Sequence, residues 1–247
     1  MTVIFPGAII GGFSATGVTY DGTNDYLKKG TELTGLADGK VGTISVWIKV
    51  DAAQEGTTFI LLQNGTDTAD FRFRVQAAFT GFLQLDASDS GGSAAVTMRE
   101  DTEYLLDNAW HHYLFAWNAA NSAQCKVYVD GVDRTHITTV SDRTIDYTRG
   151  EWAVGGRYSD GFGKLDGDMA ELWFDTTYLD ITDAAVRAKF AKNGKPVSLG
   201  SNGSKPTGSA PMLYLRGGAA NWGTNYAGTG DFTVVGAFAD SATKPSY

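Results

Sequence analysis

Two alternating apolar runs joined by a short polar gap constrain the fold of this chain more than any other feature. Residues 110–118 are Trp-His-His-Tyr-Leu-Phe-Ala-Trp-Asn, and residues 126–129 are Lys-Val-Tyr-Val, followed by Asp130 and Gly131. Alternation with a period of two is typical of a β-strand, and Asp-Gly is a preferred sequence in tight hairpin turns. The two runs therefore predict paired antiparallel strands.

The rest of the chain favours a globular protein built mostly of β-strands. Glycine makes up 31 of the 247 residues, aromatic side chains reach 12%, and proline is limited to 5 positions. The usual glycine share is about 7%, so the excess indicates many tight turns between aromatic-rich strands. Further segments alternate, each with one buried face, at 44–50, 71–76, 82–86 and 170–174. Strands at such spacing predict a β-sandwich.

One short helix is predicted over about residues 182–193. Thr182 is a suitable N-cap, and Val186 and Phe190 form an apolar pair four residues apart. The Asn-Gly pair at 193–194 supplies a stop signal. We expect this helix to pack on a sheet rather than to form a domain of its own.

The charge balance and the first residues exclude several classes of function. The chain has 20 Lys and Arg against 28 Asp and Glu, a formal charge of −8. Such a surface repels phosphate backbones and anionic lipids, so we expect no nucleic acid partner. The apolar stretch 1–13 has no positive region and is broken by Pro and Gly, which fits neither a signal peptide nor a membrane span. We expect no membrane insertion, synthesis in a reducing cytoplasm, and a buried, inert thiol at the single Cys125.

In addition to the predicted hairpin, four segments share the sequence pattern of one protein family. They are residues 20–27 (Tyr-Asp-Gly-Thr-Asn-Asp-Tyr-Leu), 44–49 (Ile-Ser-Val-Trp-Ile-Lys), 152–157 (Trp-Ala-Val-Gly-Gly-Arg) and 165–174 (Leu-Asp-Gly-Asp-Met-Ala-Glu-Leu-Trp-Phe). In order and spacing they resemble laminin-G-like domains of the concanavalin A-like lectin and glucanase superfamily. The resemblance implies an all-β fold, a concanavalin A-like jelly-roll sandwich of two antiparallel sheets with one short helix. We expect a single domain over 1–247, with the amino-terminal arm 1–13 and the carboxy-terminal segment 195–247 completing the sandwich or forming an interface.

The segment 195–247 also resembles the ends of laminin-G-like proteins carried by tailed bacteriophages. This second resemblance implies a non-catalytic accessory protein of a phage virion, either decorating the head or forming part of a tail appendage. The protein would be made in the host cytoplasm and lie on the virion surface, in contact with virion structural proteins, with further copies of itself and with a host surface glycan. Two alternatives stay open, a soluble carbohydrate-binding lectin module and an atypical glycoside hydrolase.

The acidic residues of the late segment do not match a glucanase site. Glucanases of this superfamily carry Glu-x-Asp-x-x-Glu on one strand, where the carboxylates share a face. Asp166, Asp168 and Glu171 come nearest, but Asp168 and Glu171 are an odd number apart, which predicts opposite faces on one strand. We therefore expect no catalysis. His111 and His112 are also neighbours on a predicted strand and face opposite ways, so we expect structural histidines.

Acidic and amide side chains offer one candidate metal site. The resemblance implies a single structural Ca²⁺ where an early-strand Asp meets a late-strand Asp, and oxygen ligands suit this ion. The candidate ligands are Asp21, Asn24, Asp25 and Asp168. The family's late Asp falls at Ala170 here, and ordinary turns are the alternative interpretation. No cofactor is otherwise required.

Two polar loops with aromatic side chains are the candidates for carbohydrate binding. Sugar sites use exposed rings that stack on pyranose faces, together with amide or guanidinium donors for the hydroxyls. Arg157, Tyr158 and Phe162 lie in one loop, and Trp222 and Tyr226 lie in the other. The alternative interpretation is that these rings pack inside the protein or at an interface.

Overall fold

The computed structural model describes residues 13–50, 58–65, 71–76, 81–102 and 106–247. Nearly all of the amino-terminal arm 1–13, predicted to complete the sandwich or to form an interface, therefore lies outside the described residues. Within them, the chain forms 18 strands and one four-residue α-helix. No helix in this part of the chain is long and apolar enough to cross a membrane.

The strands form two large antiparallel sheets and one small hairpin. In spatial order the first sheet contains β10 (Val132–Asp133), β9 (Lys126–Val129), β8 (His111–Asn118), β3 (Val41–Lys49), β13 (Asp166–Asp175), β1 (Val18–Asp21) and β18 (Ala239–Asp240), and β16 (Leu213–Leu215) also pairs with β13. The second contains β11 (Thr135–Val140), β7 (Ala94–Glu100), β6 (Phe82–Ser88), β5 (Phe71–Gln76), β4 (Phe59–Asn64), β12 (Trp152–Val154), β2 (Tyr26–Lys29) and β17 (Thr233–Val235). The hairpin joins β14 (Ala191–Lys192) to β15 (Lys195–Pro196). The predicted all-β sandwich of two antiparallel sheets is confirmed.

The two alternating runs at 110–118 and 126–129 pair as predicted. β8 and β9 are antiparallel neighbours, with Phe115 opposite Val127. Asp130 and Gly131 then turn the chain into β10 with positive φ angles of 53° and 79°. Two successive positive φ angles are the signature of a type I′ turn, which is why Asp-Gly is favoured there.

The core lies between the two sheets and is built largely of aromatic rings. The ring centroid of Phe174 on β13 lies 5.0 Å from that of Phe71 on β5 and 5.8 Å from that of Trp152 on β12. Trp117 of β8 packs on the same cluster and donates its Nε1 proton to the Tyr147 hydroxyl at 2.7 Å. Alternate residues of each strand face inward, so the rings of both sheets meet and exclude water.

The outer side of the first sheet is buried as well. The chain after β13 crosses this side and builds a second apolar cluster of Leu114, Ala116, Tyr128, Trp173, Ile181, Phe190, Leu199 and Tyr214. Trp47 is covered by Trp110 and by the Tyr247 ring, which stacks on it at 5.5 Å. The prediction that segment 44–50 has a single buried face is therefore wrong, because Ser45 and Trp47 are buried beneath this cover.

The helix is shorter than predicted. It spans Ala184–Arg187 and is capped by Asp183 rather than Thr182, since the Asp183 carboxylate accepts a backbone N–H of the first turn at 2.8 Å. The Asn-Gly pair at 193–194 has positive φ angles of 51° and 69° and forms the turn between β14 and β15. Asn-Gly is among the strongest hairpin signals, so the chain turns into a two-stranded hairpin where a longer helix was expected.

A β-bulge in β13 changes which of its residues share a face. Ala170 pairs with Trp47 and Trp173 pairs with Ser45, so β13 has one more residue than β3 between these two pairs. Glu171 lies inside this bulge with a φ of 51°, in the left-handed region that non-glycine residues rarely adopt. The extra residue places Glu171 on the outer side of the first sheet, where Asp168 also lies. The prediction that Asp168 and Glu171 face opposite ways is therefore wrong.

The adjacent histidines of β8 have separate structural partners. His112 Nε2 lies 2.9 Å from the Ser45 hydroxyl, and the His112 ring packs on Trp47 with centroids 5.0 Å apart. His111 lies between two carboxylates, with Nδ1 2.6 Å from Asp130 and Nε2 3.1 Å from Asp107. Both imidazoles are thus used to hold strands and turns together.

The burial of His112 predicts a stability that declines in acid. Burial lowers its pKa from 6.5 to about 3, so below pH 6.5 the unfolded chain binds a proton that the folded protein excludes. We expect the His112 contribution to the free energy of unfolding to fall by about 1.4 kcal/mol per pH unit below the unfolded pKa. Urea unfolding of the wild type and of His112→Gln, from neutral pH down to about pH 5, should show that the free energy of unfolding of the wild type falls with this slope relative to that of His112→Gln.

His111→Gln is the matched control for the pH series. Burial tends to lower the pKa of His111, but hydrogen bonds to Asp130 and Asp107 and their negative charges raise it overall. A raised pKa gives stability that is present below the unfolded value and lost as the pH rises through the folded value. The acid slope should therefore persist in His111→Gln, and an equal slope in the wild type and His112→Gln would contradict the prediction.

Candidate functional site

Polar side chains predominate on the outer face of the second sheet. Leu83, Leu85, Val96 and Met98 face the core, so the residues that alternate with them on β6 and β7 face outward. Strand pairing aligns the outward residues into one row of Thr97, Asp86, Arg72, Gln63, Ala153 and Lys28. A neighbouring row contains Arg99, Gln84 and Arg74. We call the group formed by Arg72, Arg74, Gln84, Asp86 and Arg99 the polar face.

Hydrogen bonds fix the orientation of the polar face. Asp86 accepts a hydrogen bond from Arg74 Nε at 2.9 Å with one oxygen and from Gln84 Nε2 at 2.7 Å with the other. The Arg99 guanidinium lies 3.8 Å from the centroid of the Phe82 ring. Because Asp86 and the ring hold these side chains in place, their remaining donors are ordered before a ligand arrives.

The polar face is positively charged although the chain as a whole is acidic. Burial lowers the pKa of Arg72, and the charges of Arg74 and Arg157 lower it further, while Asp86 opposes this shift. Asp86 supplies one negative charge against the three guanidinium groups of Arg72, Arg74 and Arg99, so the polar face keeps a net positive charge. Each guanidinium group carries five N–H donors and is suited to bind ligands rich in oxygen.

The predicted loop of Arg157, Tyr158 and Phe162 lies beside the polar face. Arg157 binds both carboxylate oxygens of Asp160, at 2.9 and 2.5 Å, and its guanidinium lies 4.9 Å from the Phe162 ring. Phe162 is 58% exposed, the largest exposure among the large apolar side chains of the described residues. Tyr158 packs its hydroxyl against Gly30. The structure thus brings these three candidates together, with an aromatic ring open to solvent.

The other two predicted sugar-binding residues do not join this site. Trp222 is fully buried and donates its Nε1 proton to the Tyr20 hydroxyl at 2.6 Å, so the prediction that it contacts a ligand is wrong. Tyr226 lies on the opposite side of the sandwich, where its ring is 4.4 Å from the Arg216 guanidinium. Loop composition did not reveal these positions, because burial is decided by strands distant in sequence.

The proposed calcium ligands are occupied by contacts within the protein. Asp21 Oδ1 accepts the backbone N–H groups of Thr23 and Asn24 at 2.8 and 3.0 Å, and these bonds lower its pKa. Asp25 is buried and accepts the backbone N–H of Ala237 at 2.8 Å. Across residues 13–50, 58–65, 71–76, 81–102 and 106–247, no cluster of three or more His, Cys, Asp or Glu is placed to hold a metal. Asp21, Asn24 and Asp25 lie in one hydrogen-bonded turn, as the alternative interpretation describes.

The fourth proposed ligand, Asp168, lies apart from the early turn in a contact of its own. Its carboxylate accepts a hydrogen bond from the Thr19 hydroxyl at 2.5 Å and pairs with Lys49 at 3.4 Å. Thr19 is its strand neighbour on β1, whereas Asp21 lies opposite Asp166. The structure therefore does not bring Asp168 together with Asp21 and Asp25.

Sequence reasoning missed the polar face, although its signal is visible. In 71–76 and 82–86 every second residue is apolar, and the residues between them include Arg72, Arg74, Gln84 and Asp86. Alternation by itself predicts only that these four residues face solvent. Their significance comes from strand pairing, which places charged and amide groups of β5, β6 and β7 side by side.

Two facing antiparallel sheets, one with a polar and partly aromatic outer face, define a lectin-like sandwich. The chain belongs to the concanavalin A-like lectin/glucanases superfamily: the Laminin_G_3 family model matches residues 21–183, about two thirds of the sequence. No curated protein sequence matches the chain.

Solved structures share the fold at low sequence identity. A heptameric SAP-like pentraxin from Limulus polyphemus is 16% identical with a TM-score of 0.58, and the match covers 95% of this chain and 96% of the pentraxin. A protein of Bacteroides ovatus described as a "putative carbohydrate binding protein" is 14% identical with a TM-score of 0.64, and the match covers 95% of this chain but 62% of that one. At these identities the similarity shows the fold alone.

Proposed function

We propose that the protein is a non-catalytic, lectin-like protein that binds glycans on the polar face, with the 157–162 loop at its side. The observation that carries this proposal is the hydrogen-bonded set of Arg74, Asp86 and Gln84. Sugar hydroxyls both donate and accept, so a guanidinium, an amide and a carboxylate held next to each other match adjacent hydroxyls of one ring. The exposed Phe162 ring adds a surface for stacking on a pyranose face. The Bacteroides ovatus relative, described as a "putative carbohydrate binding protein", supports the same class of ligand.

A glycan array of the wild type and Arg74→Met tests this proposal. Arg74→Met keeps most of the side-chain volume but removes the donors that Asp86 orients. We expect the wild type to bind a defined subset of glycans and Arg74→Met to bind them about tenfold or more weakly, the effect of one charge-assisted hydrogen bond.

Arg143→Met is the matched control, because Arg143 pairs with Asp89 on another part of the surface. This variant should bind like the wild type. Absence of glycan binding by the wild type, or equal loss in both variants, would overturn the proposal.

Glycan hydrolysis is not part of this function. Asp168 and Glu171 share the outer side of the first sheet, whereas the polar face lies on the second sheet. A glycan on the polar face is therefore held across the sandwich from both carboxylates. Asp168 is engaged by Thr19 and Lys49, and Glu171 accepts a hydrogen bond from the Tyr214 hydroxyl. We expect no release of reducing sugar from laminarin, agarose or chitin, and turnover abolished by Glu171→Gln would contradict this expectation.

We further propose that the protein acts on the surface of a bacteriophage virion, made in the host cytoplasm and attached to virion structural proteins as an oligomer. The resemblance of 195–247 to phage proteins supports this role, and the heptameric assembly of the pentraxin relative supports an oligomer. Antibody labelling of purified particles by electron microscopy tests the location, and light scattering tests the oligomer. A monomeric protein absent from particles made by its own phage would overturn this part of the proposal.

A further inference from the structure

A small cavity opens beside the bulge of β13, on the side of the sandwich opposite the polar face. Its volume is about 150 Å³, and it is lined by Phe13, Ser14, Ala15, Thr16, Glu171, Arg216, Gly217 and Tyr226. Ligand pockets for drug-sized molecules hold about 300 Å³ or more, so this cavity has room for a single small ring. We call it the bulge cavity.

Three features that each oppose folding meet at the bulge cavity. Glu171 adopts a left-handed backbone conformation with a φ of 51°. Its carboxyl group is removed from water, with 4% of the residue exposed, and accepts a hydrogen bond from Tyr214 at 2.5 Å. The Nε atom of Arg216 is buried and has no hydrogen-bond partner among the residues that the structure describes. Strain and unsatisfied polar groups are retained where function requires them, and here all three border one cavity.

The lining selects a neutral ligand that both donates and accepts hydrogen bonds. Arg216 offers only donors, and its guanidinium covers the Tyr226 ring at 4.4 Å. Burial raises the pKa of Glu171 to about 7, although the Tyr214 hydrogen bond and the charge of Arg216 lower it in part. Near neutral pH the Glu171 carboxyl therefore both accepts and donates. A cationic ligand would be repelled by Arg216, and an anionic ligand would meet the partly ionised Glu171.

We propose that the bulge cavity binds one neutral sugar residue through Glu171, Arg216 and the Tyr226 ring. This proposal deepens the glycan-binding function proposed above, since it adds a second contact point on the other side of the sandwich. Glu171 is the one carboxyl group among the described residues that line the cavity, so a sugar bound there does not meet the pair of carboxyl groups that hydrolysis requires. Hydroxyl groups of a pyranose ring would satisfy the orphan Nε of Arg216 and the Glu171 carboxyl at once. One ring in a small cavity makes few contacts, so we expect a dissociation constant on the order of 1 mM.

Titration of ¹⁵N-labelled protein with methyl glycosides of glucose, galactose and rhamnose tests the proposal by NMR. We expect at least one of these probes to shift the backbone amide signals of Thr16 and Gly217, which line the cavity. Arg216→Met should weaken this binding by about tenfold or more. Arg74→Met, on the polar face, is the matched control and should leave it unchanged. Tyr226 is half-buried in the wall of the cavity. Tyr226→Leu therefore provides a second test of binding in case Arg216→Met does not fold.

The outcomes separate the bulge cavity from the polar face. Loss of binding in Arg216→Met but not in Arg74→Met supports the bulge cavity, even if the glycan array shows no binding at the polar face. Absence of shifts with all three glycosides overturns it, as do shifts that Arg216→Met and Tyr226→Leu leave unchanged. Shifts caused by glycine or acetate but not by the glycosides also overturn it, because they assign the cavity to a charged ligand.

Discussion

Phe174→Ala should destabilise the protein by about 3–5 kcal/mol, the usual effect of truncating a fully buried aromatic side chain. Phe174 has no exposed surface, and its ring packs against those of Phe71, Trp117, Tyr147 and Trp152. These rings come from both sheets and from the chain between them. The cavity left by the truncation cannot close easily, because each neighbour is itself held by a strand or by the hydrogen bond between Trp117 and Tyr147.

Urea unfolding followed by tryptophan fluorescence measures this loss. Phe162→Ala is the matched control, since the same side chain is removed from a position that is 58% exposed. Its free energy of unfolding should stay within about 0.5 kcal/mol of the wild type. If both variants unfold at the same urea concentration as the wild type, the aromatic cluster is not the core of the sandwich.

Gly155→Ala should destabilise the protein by about 2–4 kcal/mol, from backbone strain and steric overlap together. Gly155 has a φ of 77°, and a Cβ atom placed there would lie 2.1 Å from Cε1 of the Tyr20 ring. Tyr20 cannot move away freely, because it is fully buried and its hydroxyl accepts a hydrogen bond from Trp222. The close approach of β1 to the turn after β12 therefore requires a residue without a side chain.

Gly208→Ala separates the two causes. Gly208 has a similar positive φ of 90°, but apart from its two chain neighbours no atom of the described residues lies within 4 Å of the added Cβ. This control should show the strain alone, about 1–2 kcal/mol. A Gly155→Ala variant no less stable than Gly208→Ala would mean that Tyr20 relaxes without loss, contrary to the tight packing expected in this core.

The strands and their assembly into a sandwich could be predicted from the sequence because their signals are local. Alternation in 110–118 and 82–86 selects strands, and an Asp-Gly pair fixes the turn after β9. The Asn-Gly pair at 193–194 was equally local, but it was interpreted as the end of a helix instead of the turn of a hairpin. The loop of Arg157 and Phe162 lies at the surface, as its polar residues and glycines predict, whereas its role in carbohydrate binding stays a prediction.

Burial of particular side chains could not be predicted in the same way. Trp222 and Tyr226 lie four residues apart in one loop, yet Trp222 reaches Tyr20 in the core while Tyr226 covers the outer side of the first sheet. Both residues are flanked by polar residues and glycine in the sequence. What differs is the strand that each one meets, and those strands are far away along the chain.

The sequence by itself determined the all-β class, the paired central strands and the acidic charge, because these follow from periodicity, turn chemistry and composition. Only the tertiary structure decided which residues come together in the candidate binding sites. Strand pairing aligned Arg72, Arg74, Gln84 and Asp86 into a polar face, and a mismatch between β13 and β3 turned Glu171 toward a cavity beside Arg216. A bulge depends on the number of residues in both paired strands, so alternation along one strand cannot reveal it.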